Sequence, residues 1–98
     1  MSTTGNYTVT PLEEGALFST KRMEADSERL LPRHRASIES VLVVIDGACV
    51  VAMRGTDHML ERGDSLVIPG DEWHQIRAHP EFKAIHVMPR EIRFEFDR

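Results

Sequence analysis

The sequence predicts an all-β domain, a sandwich or barrel built from about nine short strands. Apolar and β-branched runs recur along its 98 residues, and turn residues separate these runs about every eight positions. Helix signals are weak, because the one candidate segment, Met23–Leu31, is short and runs directly into Pro32. The length suits one domain, which we take to span residues 1–98.

Four strands are predicted in the first half of the chain: Asn6–Thr10, Ala16–Ala25, Ser40–Ile45 and Ala48–Met53. Ala16–Ala25 is interpreted as a two-sided strand with Lys21 and Met23 on one face. Ser40–Ile45 is apolar and mostly β-branched, which is typical of a strand covered on both faces. Asp46-Gly47 is a turn dipeptide, so the last two strands are predicted to form a hairpin.

Turn residues divide the second half of the chain in the same way. The predicted strands are His58–Leu60, Ser65–Ile68, Gln75–Ala78, Phe82–Met88 and Ile92–Phe96. The predicted turns and breaks are Gly55-Thr56-Asp57, Arg62-Gly63-Asp64, Pro69-Gly70-Asp71 and His79-Pro80-Glu81. In the last strand, apolar residues alternate with charged ones, which predicts that one face is buried.

Charge and cysteine content restrict the partners and the cellular compartment that the sequence predicts. The formal net charge is −4 and the basic residues are scattered, whereas a protein that binds nucleic acid needs a concentrated basic surface. The single cysteine, Cys49, lies in an apolar run, which favours a buried, inert thiol in a reducing compartment. With neither a basic-then-apolar start nor an apolar run of about 18 residues, the chain is predicted to be cytoplasmic, without a membrane partner.

Two linked segments resemble the sequence motifs of the cupins. The first motif, G-x5-H-x-H-x3-4-E-x6-G, matches at His34 and Gly47. The second, G-x5-P-x-G-x2-H-x3-N, matches at Gly63, Pro69 and His74. The resemblance implies a double-stranded β-helix, that is, a jelly-roll barrel, with its core at about residues 16–88 and flanking strands at both termini.

The same resemblance implies an incomplete metal site. Ala36 stands where the family has a second histidine, and Ser40 stands where it has a glutamate. Positions 34, 36 and 40 differ by even numbers, so they share the strand face that the resemblance directs into the barrel lumen. Only His34 and His74 of the usual four ligands remain. We therefore expect at most a weakly held divalent transition metal (Zn, Fe, Mn or Ni), and otherwise no cofactor.

A third metal ligand has two candidates. Glu39 has suitable chemistry but the wrong parity, so only a bulge would turn it into the lumen. In Phe82–Met88, alternation places His86 on the face opposite Lys83, which predicts that His86 faces the lumen. The hypothesis is a metal site formed by His34, His74 and His86. The alternative is that His86 is a core histidine that donates to a backbone carbonyl.

Four further residues are candidate ligand contacts: Trp73, Ser40, Arg35 and Met88. Trp73 neighbours a motif histidine and would wall a pocket, although a packing role explains it equally well. Arg35 would meet an anionic ligand at the barrel mouth, and the alternative is a solvated charge at a strand end.

Three functions are compatible with these residues. The first is a binding module that takes a small molecule, with or without a metal, in a sensing or carrier role. The second is a metal-dependent enzyme of oxygenase or isomerase type, and the third is a structural cupin without chemistry. Exposed strand edges at Asn6–Thr10 and Ile92–Phe96 predict a homodimer.

Overall fold

The computed structural model describes residues 5–97, and within that range it contains eight strands and no helix. The strands are β1 (Tyr7–Glu14), β2 (Phe18–Ala25), β3 (His34–Ala36), β4 (Ser40–Met53), β5 (Thr56–Glu61), β6 (Ser65–Ile68), β7 (His74–Pro89) and β8 (Phe94–Phe96). The helix candidate Met23–Leu31 is absent, because β2 runs to Ala25 and a turn follows. Accordingly, no helix of residues 5–97 has the length and apolar character needed to cross a membrane.

The strands form one curled antiparallel sheet. Its hydrogen-bonded order is β1-β2-β7-β3-β8, and β4 pairs with β5, β6 and β7. The two long strands β4 and β7 pair along most of their length, so they join the two halves of the barrel. The inward side chains form one core that includes Leu42, Val44, Val51 and Phe82. The predicted all-β jelly roll is therefore confirmed.

The predicted hairpin at Asp46-Gly47 is wrong. β4 continues through this dipeptide as a single strand of 14 residues, with register irregularities on either side of it where it pairs with β7. Gly47 has a φ of 70°, and a Cβ atom at this position would collide with the carbonyl oxygen of Glu81. Asp46 and Gly47 stay paired with Lys83 and Phe82, so the dipeptide continues the strand. The ladder is irregular on both sides of it: Ile45 is the extra residue in β4, and residues 79–81 are extra in β7.

The predicted break at His79-Pro80-Glu81 does not end a strand, because β7 continues through it. These three residues do interrupt the pairing with β4, since all three stand opposite Ala48. Joining the strands at both places leaves seven of the nine predicted strands, and β3 (His34–Ala36), which was not predicted, brings the observed number to eight. Cys49 lies two residues after Gly47 and is fully buried, as predicted. Burial raises the pKa of its thiol to about 11, so the thiol stays protonated and unreactive at neutral pH.

The alternation along β7 determines which of its residues reach the interior. Phe82, Ala84, His86 and Met88 are all buried, whereas Lys83 is exposed. The predicted inward face of His86 is thus observed. β2 pairs with this part of β7, and its Lys21 lies directly opposite His86. Because paired residues on neighbouring strands point to the same side, both side chains enter the barrel interior.

Candidate functional site

A cavity of about 110 Å³ lies inside the barrel beside β2, β3, β7 and β8. Its nitrogen-bearing lining residues are Lys21, His34, His74 and His86. Most of the remaining lining is apolar or aromatic: Val9, Met23, Leu31, Pro32, Leu42, Ile68, Ile76, Phe94 and Phe96, with Tyr7 at one side. No aspartate or glutamate among residues 5–97 lines it. An apolar cavity with a few convergent polar groups is typical of a small-molecule site.

His34 and His74 meet because their strands are paired. They are direct partners in the pairing of β3 with β7, and their ring centroids are 4.4 Å apart. The Nδ1 atom of His34 lies 3.1 Å from the carbonyl oxygen of Pro32, and that of His74 lies 2.9 Å from the carbonyl oxygen of Glu72. A carbonyl oxygen only accepts, so the proton is assigned to each Nδ1, which leaves the Nε2 lone pair available.

Burial lowers the pKa of both His34 and His74. The hydrogen bonds to the backbone oppose this shift without reversing it, since desolvation is the largest cause. Both imidazoles are therefore neutral at pH 7, which keeps their free nitrogens available to a ligand.

His86 is 5% exposed and is the most strongly perturbed of the three histidines. Burial, and then the nearby charge of Lys21, lower its pKa to about 3. Its Nε2 atom lies 2.8 Å from the hydroxyl oxygen of Ser40, so its partner is a side chain and not the backbone carbonyl of the alternative interpretation. Its Nδ1 atom is buried and has no hydrogen-bond partner among residues 5–97.

Lys21 is the cavity residue that the sequence reasoning missed. Its Nζ lies 4.5 Å from the centroid of the Phe94 ring, and burial lowers its pKa. A lysine in a two-sided strand suggests a solvated charge. The sequence did contain one indication: Lys21 and Met23 are two residues apart, so they share a face of the strand, and the side chain of Met23 is buried.

The last strand closes one side of the cavity with aromatic rings. β8 pairs with β3, which places Phe96 opposite His34 and Phe94 opposite Ala36. The Phe94 ring centroid lies 5.6 Å from that of His34 and 6.3 Å from that of His86. Ala36 is buried under this strand and does not line the cavity. Sequence alternation predicted a half-buried strand here but not its position against the histidines.

Trp73 and Arg35 lie together outside the cavity. The Cζ atoms of Arg33 and Arg35 are 4.8 Å and 4.9 Å from the centroid of the indole. Arg33 pairs with Asp97 at 2.9 Å and Arg35 with Glu95 at 2.8 Å. These side chains alternate with the inward His34 and His74, so they occupy the outer surface of the barrel.

The other predicted contacts also lie beyond the cavity wall. Ser40 is buried and touches the site through its hydrogen bond to His86. Met88 is buried on the same face of β7 as His86 but does not line the cavity. Glu39 is exposed, in agreement with its parity.

The metal hypothesis was tested against the donor set. The neutral imidazoles of His34 and His74, each oriented by a carbonyl, have the chemistry that divalent transition metals require. The arrangement is less suitable: residues 5–97 contain no group of three or more His, Cys, Asp or Glu side chains placed to hold a metal ion. Lys21 adds a positive charge to the same cavity. The three-histidine metal site therefore stays a prediction.

Comparison with known proteins agrees with this architecture. The chain resembles a cupin superfamily protein from Desulfitobacterium hafniense, with 13% identity, a TM-score of 0.79, and coverage of 86% of this chain and 77% of that one. It also resembles a cupin-2 domain containing protein from Shewanella frigidimarina, with 23% identity, a TM-score of 0.76, and coverage of 85% and 80%. These likenesses concern the fold.

A third similar structure is a salicylate 1,2-dioxygenase from Pseudoaminobacter salicylatoxidans, solved with gentisate adducts. The two chains are 14% identical, with a TM-score of 0.85. The matched region covers 98% of this chain but 30% of the dioxygenase. No curated protein matches the chain significantly. The family model described as the cupin domain matches residues 19–88, which include both motif segments and all four nitrogen-bearing residues of the cavity. The chain therefore belongs to the cupin family.

Proposed function

We propose that this protein binds a small molecule in the barrel lumen and acts as a sensor or carrier. The observation that carries the proposal is the convergence of three neutral histidines and one lysine on an otherwise apolar cavity. A folding core without a ligand would be filled by apolar side chains. Buried polar groups without partners cost free energy, and a bound molecule that pairs with them recovers that cost.

The cavity limits the size of the molecule. A cavity of about 150 Å³ accepts benzene, which corresponds to about 25 Å³ for each non-hydrogen atom. The observed 110 Å³ corresponds to about four or five such atoms, in a cavity that is partly open to solvent. The dioxygenase cited above holds a larger, aromatic acid, gentisate. We infer that the present lumen takes a smaller compound.

A thermal-shift screen tests the proposal. The probes are short carboxylates, amides, alcohols and small sugars at millimolar concentration. At least one probe is expected to raise the unfolding midpoint, because binding to the native state alone stabilises it. The variant His34→Ala/His74→Ala should lose this response, whereas His58→Ala/His79→Ala should keep it, since those two histidines lie outside the cavity. The absence of a response to every probe would refute a binding role.

A weakly held divalent transition metal is the second candidate occupant. The Nδ1 hydrogen bonds of His34 and His74 favour it, because they orient each Nε2 lone pair in the way that metal-ligating histidines are oriented. His34, His74 and His86 would hold the ion, and it would supply Lewis acidity to a bound substrate, as in an oxygenase or isomerase.

Metal content measured after purification without chelator tests this candidate. A stoichiometric first-row metal that is lost in His34→Ala/His74→Ala and retained in His58→Ala/His79→Ala would support the enzyme. Preparations that stay free of metal after supplementation would exclude it.

We further propose a cytoplasmic homodimer, formed without a nucleic acid or membrane partner. β1 and β8 lie at the two ends of the strand order, so each leaves one edge unpaired within residues 5–97. Val9 is 44% exposed and Phe96 is 54% exposed, which places apolar surface on both of these strands. A second copy would cover such edges. A monomeric mass by light scattering at micromolar concentration would exclude the dimer.

A further inference from the structure

We propose that the lumen selects small monocarboxylate anions and that Lys21 supplies the opposite charge. This inference rests on the proposed binding function and names the chemical class of its ligand.

Lys21 differs from the cations that form ion pairs in this structure. Five arginines pair with carboxylates at distances between 2.8 and 3.4 Å: Arg22, Arg33, Arg35, Arg54 and Arg90. Lys21 has no such carboxylate partner among residues 5–97. Its contact is the Phe94 ring, 4.5 Å from Nζ, and a ring face compensates a half-buried charge only in part.

The cavity offers Lys21 no internal counter-charge. No aspartate or glutamate of residues 5–97 lines it, and its three histidines are neutral or positive but never negative. Lys21 is half-buried, and an ammonium ion that is partly withdrawn from water without an anion loses part of its hydration free energy. A ligand that carries one negative charge would remove that cost, whereas a cation would add to it.

His86 provides a second polar contact for such a ligand. If the Ser40 hydroxyl donates to Nε2, which lies 2.8 Å away, the imidazole proton resides on Nδ1. That buried nitrogen has no acceptor among residues 5–97. A carboxylate has two oxygens, so it can accept from the Lys21 ammonium group and from His86 at once. An amide of the same shape has one oxygen and no charge, so it satisfies these donors less well.

The remaining wall determines the rest of the molecule. Leu42, Ile76 and Phe94 present apolar surface to the same cavity, and the enclosed volume is about 110 Å³. A short aliphatic chain fits that surface, whereas the polyhydroxylated chain of a sugar would leave its hydroxyl groups unpaired. The combination of one cation and apolar walls selects a small acid over a sugar or a metal ion.

Isothermal titration calorimetry with propionate, and with its isosteric amide propionamide, tests the inference. The titrations are made with EDTA present, for the wild type, for Lys21→Met and for the matched surface variant Lys83→Met. The wild type is expected to bind propionate at least about tenfold more tightly than propionamide, because a charge-assisted hydrogen bond is lost with the amide. Lys21→Met should abolish this preference, and Lys83→Met should retain it, since Lys83 is exposed on the opposite face of β7.

Several results would overturn the inference. Equal affinity for the two probes, or a preference that survives in Lys21→Met, would show that Lys21 does not select the ligand. Binding of propionamide without binding of propionate would overturn the choice of an anion and leave the proposed binding function intact. If neither probe binds and the wider screen also fails, the binding function itself falls. A preference seen only without EDTA would assign anion binding to a metal.

Discussion

The β2–β7 ladder borders two very different depressions. Beside its central Lys21–His86 pair is the lumen cavity of about 110 Å³, with Lys21 and three histidines. At its Ala25–Phe82 end is a groove of about 280 Å³, whose charged lining residues are Glu24, Asp26, Asp46, Glu81 and Lys83. The groove is larger and acidic, whereas the cavity is smaller and basic. Volume alone would select the groove as the functional site.

Hydrogen bonding reverses that choice. The carboxylate of Asp26 accepts from the backbone N–H of Asn6, and that of Asp46 accepts from the N–H of Gly47. Glu24 pairs with Arg22, so three of the groove's acids already have partners in the protein. In the cavity, Lys21 lacks a counter-ion among residues 5–97 and His86 retains an unsatisfied nitrogen. The lesson is that unsatisfied, buried polar groups mark the candidate site better than size does.

The largest expected effect on stability is at Gly47, which lines the groove and has little room around its backbone. Gly47→Ala would place a Cβ against the Glu81 carbonyl in a position with a φ of 70°, and we expect a loss of more than about 4 kcal/mol of unfolding free energy. Gly55→Ala is the matched control, since its φ is 71° and no atom lies within 4 Å of the added Cβ. It should cost only about 1 kcal/mol. Urea denaturation compares the two, and equal losses would contradict the close approach.

The second expected effect is a pH dependence of stability that originates in the cavity. The pKa values of His34, His74 and His86 are lowered by folding, that of His86 to about 3. The unfolded chain therefore binds more protons below about pH 6.5, and stability must decrease as the pH falls. Each histidine contributes at most about 1.4 kcal/mol for each pH unit below its unfolded pKa.

Denaturation between pH 7.5 and pH 5 measures this dependence. We expect a loss of about 1 to 3 kcal/mol across this interval. His86→Met should reduce the slope, whereas His58→Ala/His79→Ala should not, because neither of those histidines lines the cavity. A flat stability profile would indicate that the cavity histidines are solvated like those outside it.

A smaller effect of opposite sign is expected from Lys21→Met. The substitution replaces a half-buried ammonium by an apolar side chain of similar length. Because solvent still screens part of that charge, the unligated protein should gain less than about 1 kcal/mol. Lys83→Met should change stability by less than about 0.5 kcal/mol, since its side chain is exposed. A destabilised Lys21→Met protein would show that Lys21 has a structural partner. That result would weaken the contrast between the cavity and the groove.

The smallest effect is expected in the groove. Asp46→Asn keeps the oxygen that accepts from Gly47 and removes only an exposed charge, so the change should stay below about 0.5 kcal/mol. Propionate affinity should be unchanged in this variant. A change as large as that of Lys21→Met, in stability or in affinity, would contradict the distinction between groove and cavity.

Local patterns predicted those features that depend on a short stretch of chain. The alternation in Phe82–Met88 predicted an inward His86 because side chains on a strand point to opposite faces in turn. The resemblance of the segments around His34, Gly47, Gly63 and His74 to the cupin motifs implied the jelly-roll barrel. Burial of Cys49 followed from its apolar surroundings. Each of these inferences needed only the period of a strand or the spacing of a motif.

The sequence by itself thus determined the strand class, the inward face of β7 and the two motif histidines. Only the tertiary structure decided that β4 continues through Asp46-Gly47, because its partner there is β7, whose Glu81 carbonyl approaches Gly47 from a distant part of the chain. It also decided that Lys21 faces His86 and that Phe94 lies beside both, since these contacts depend on the register between strands far apart in sequence. Periodicity predicts which face a residue occupies, and only strand pairing determines its neighbours on that face.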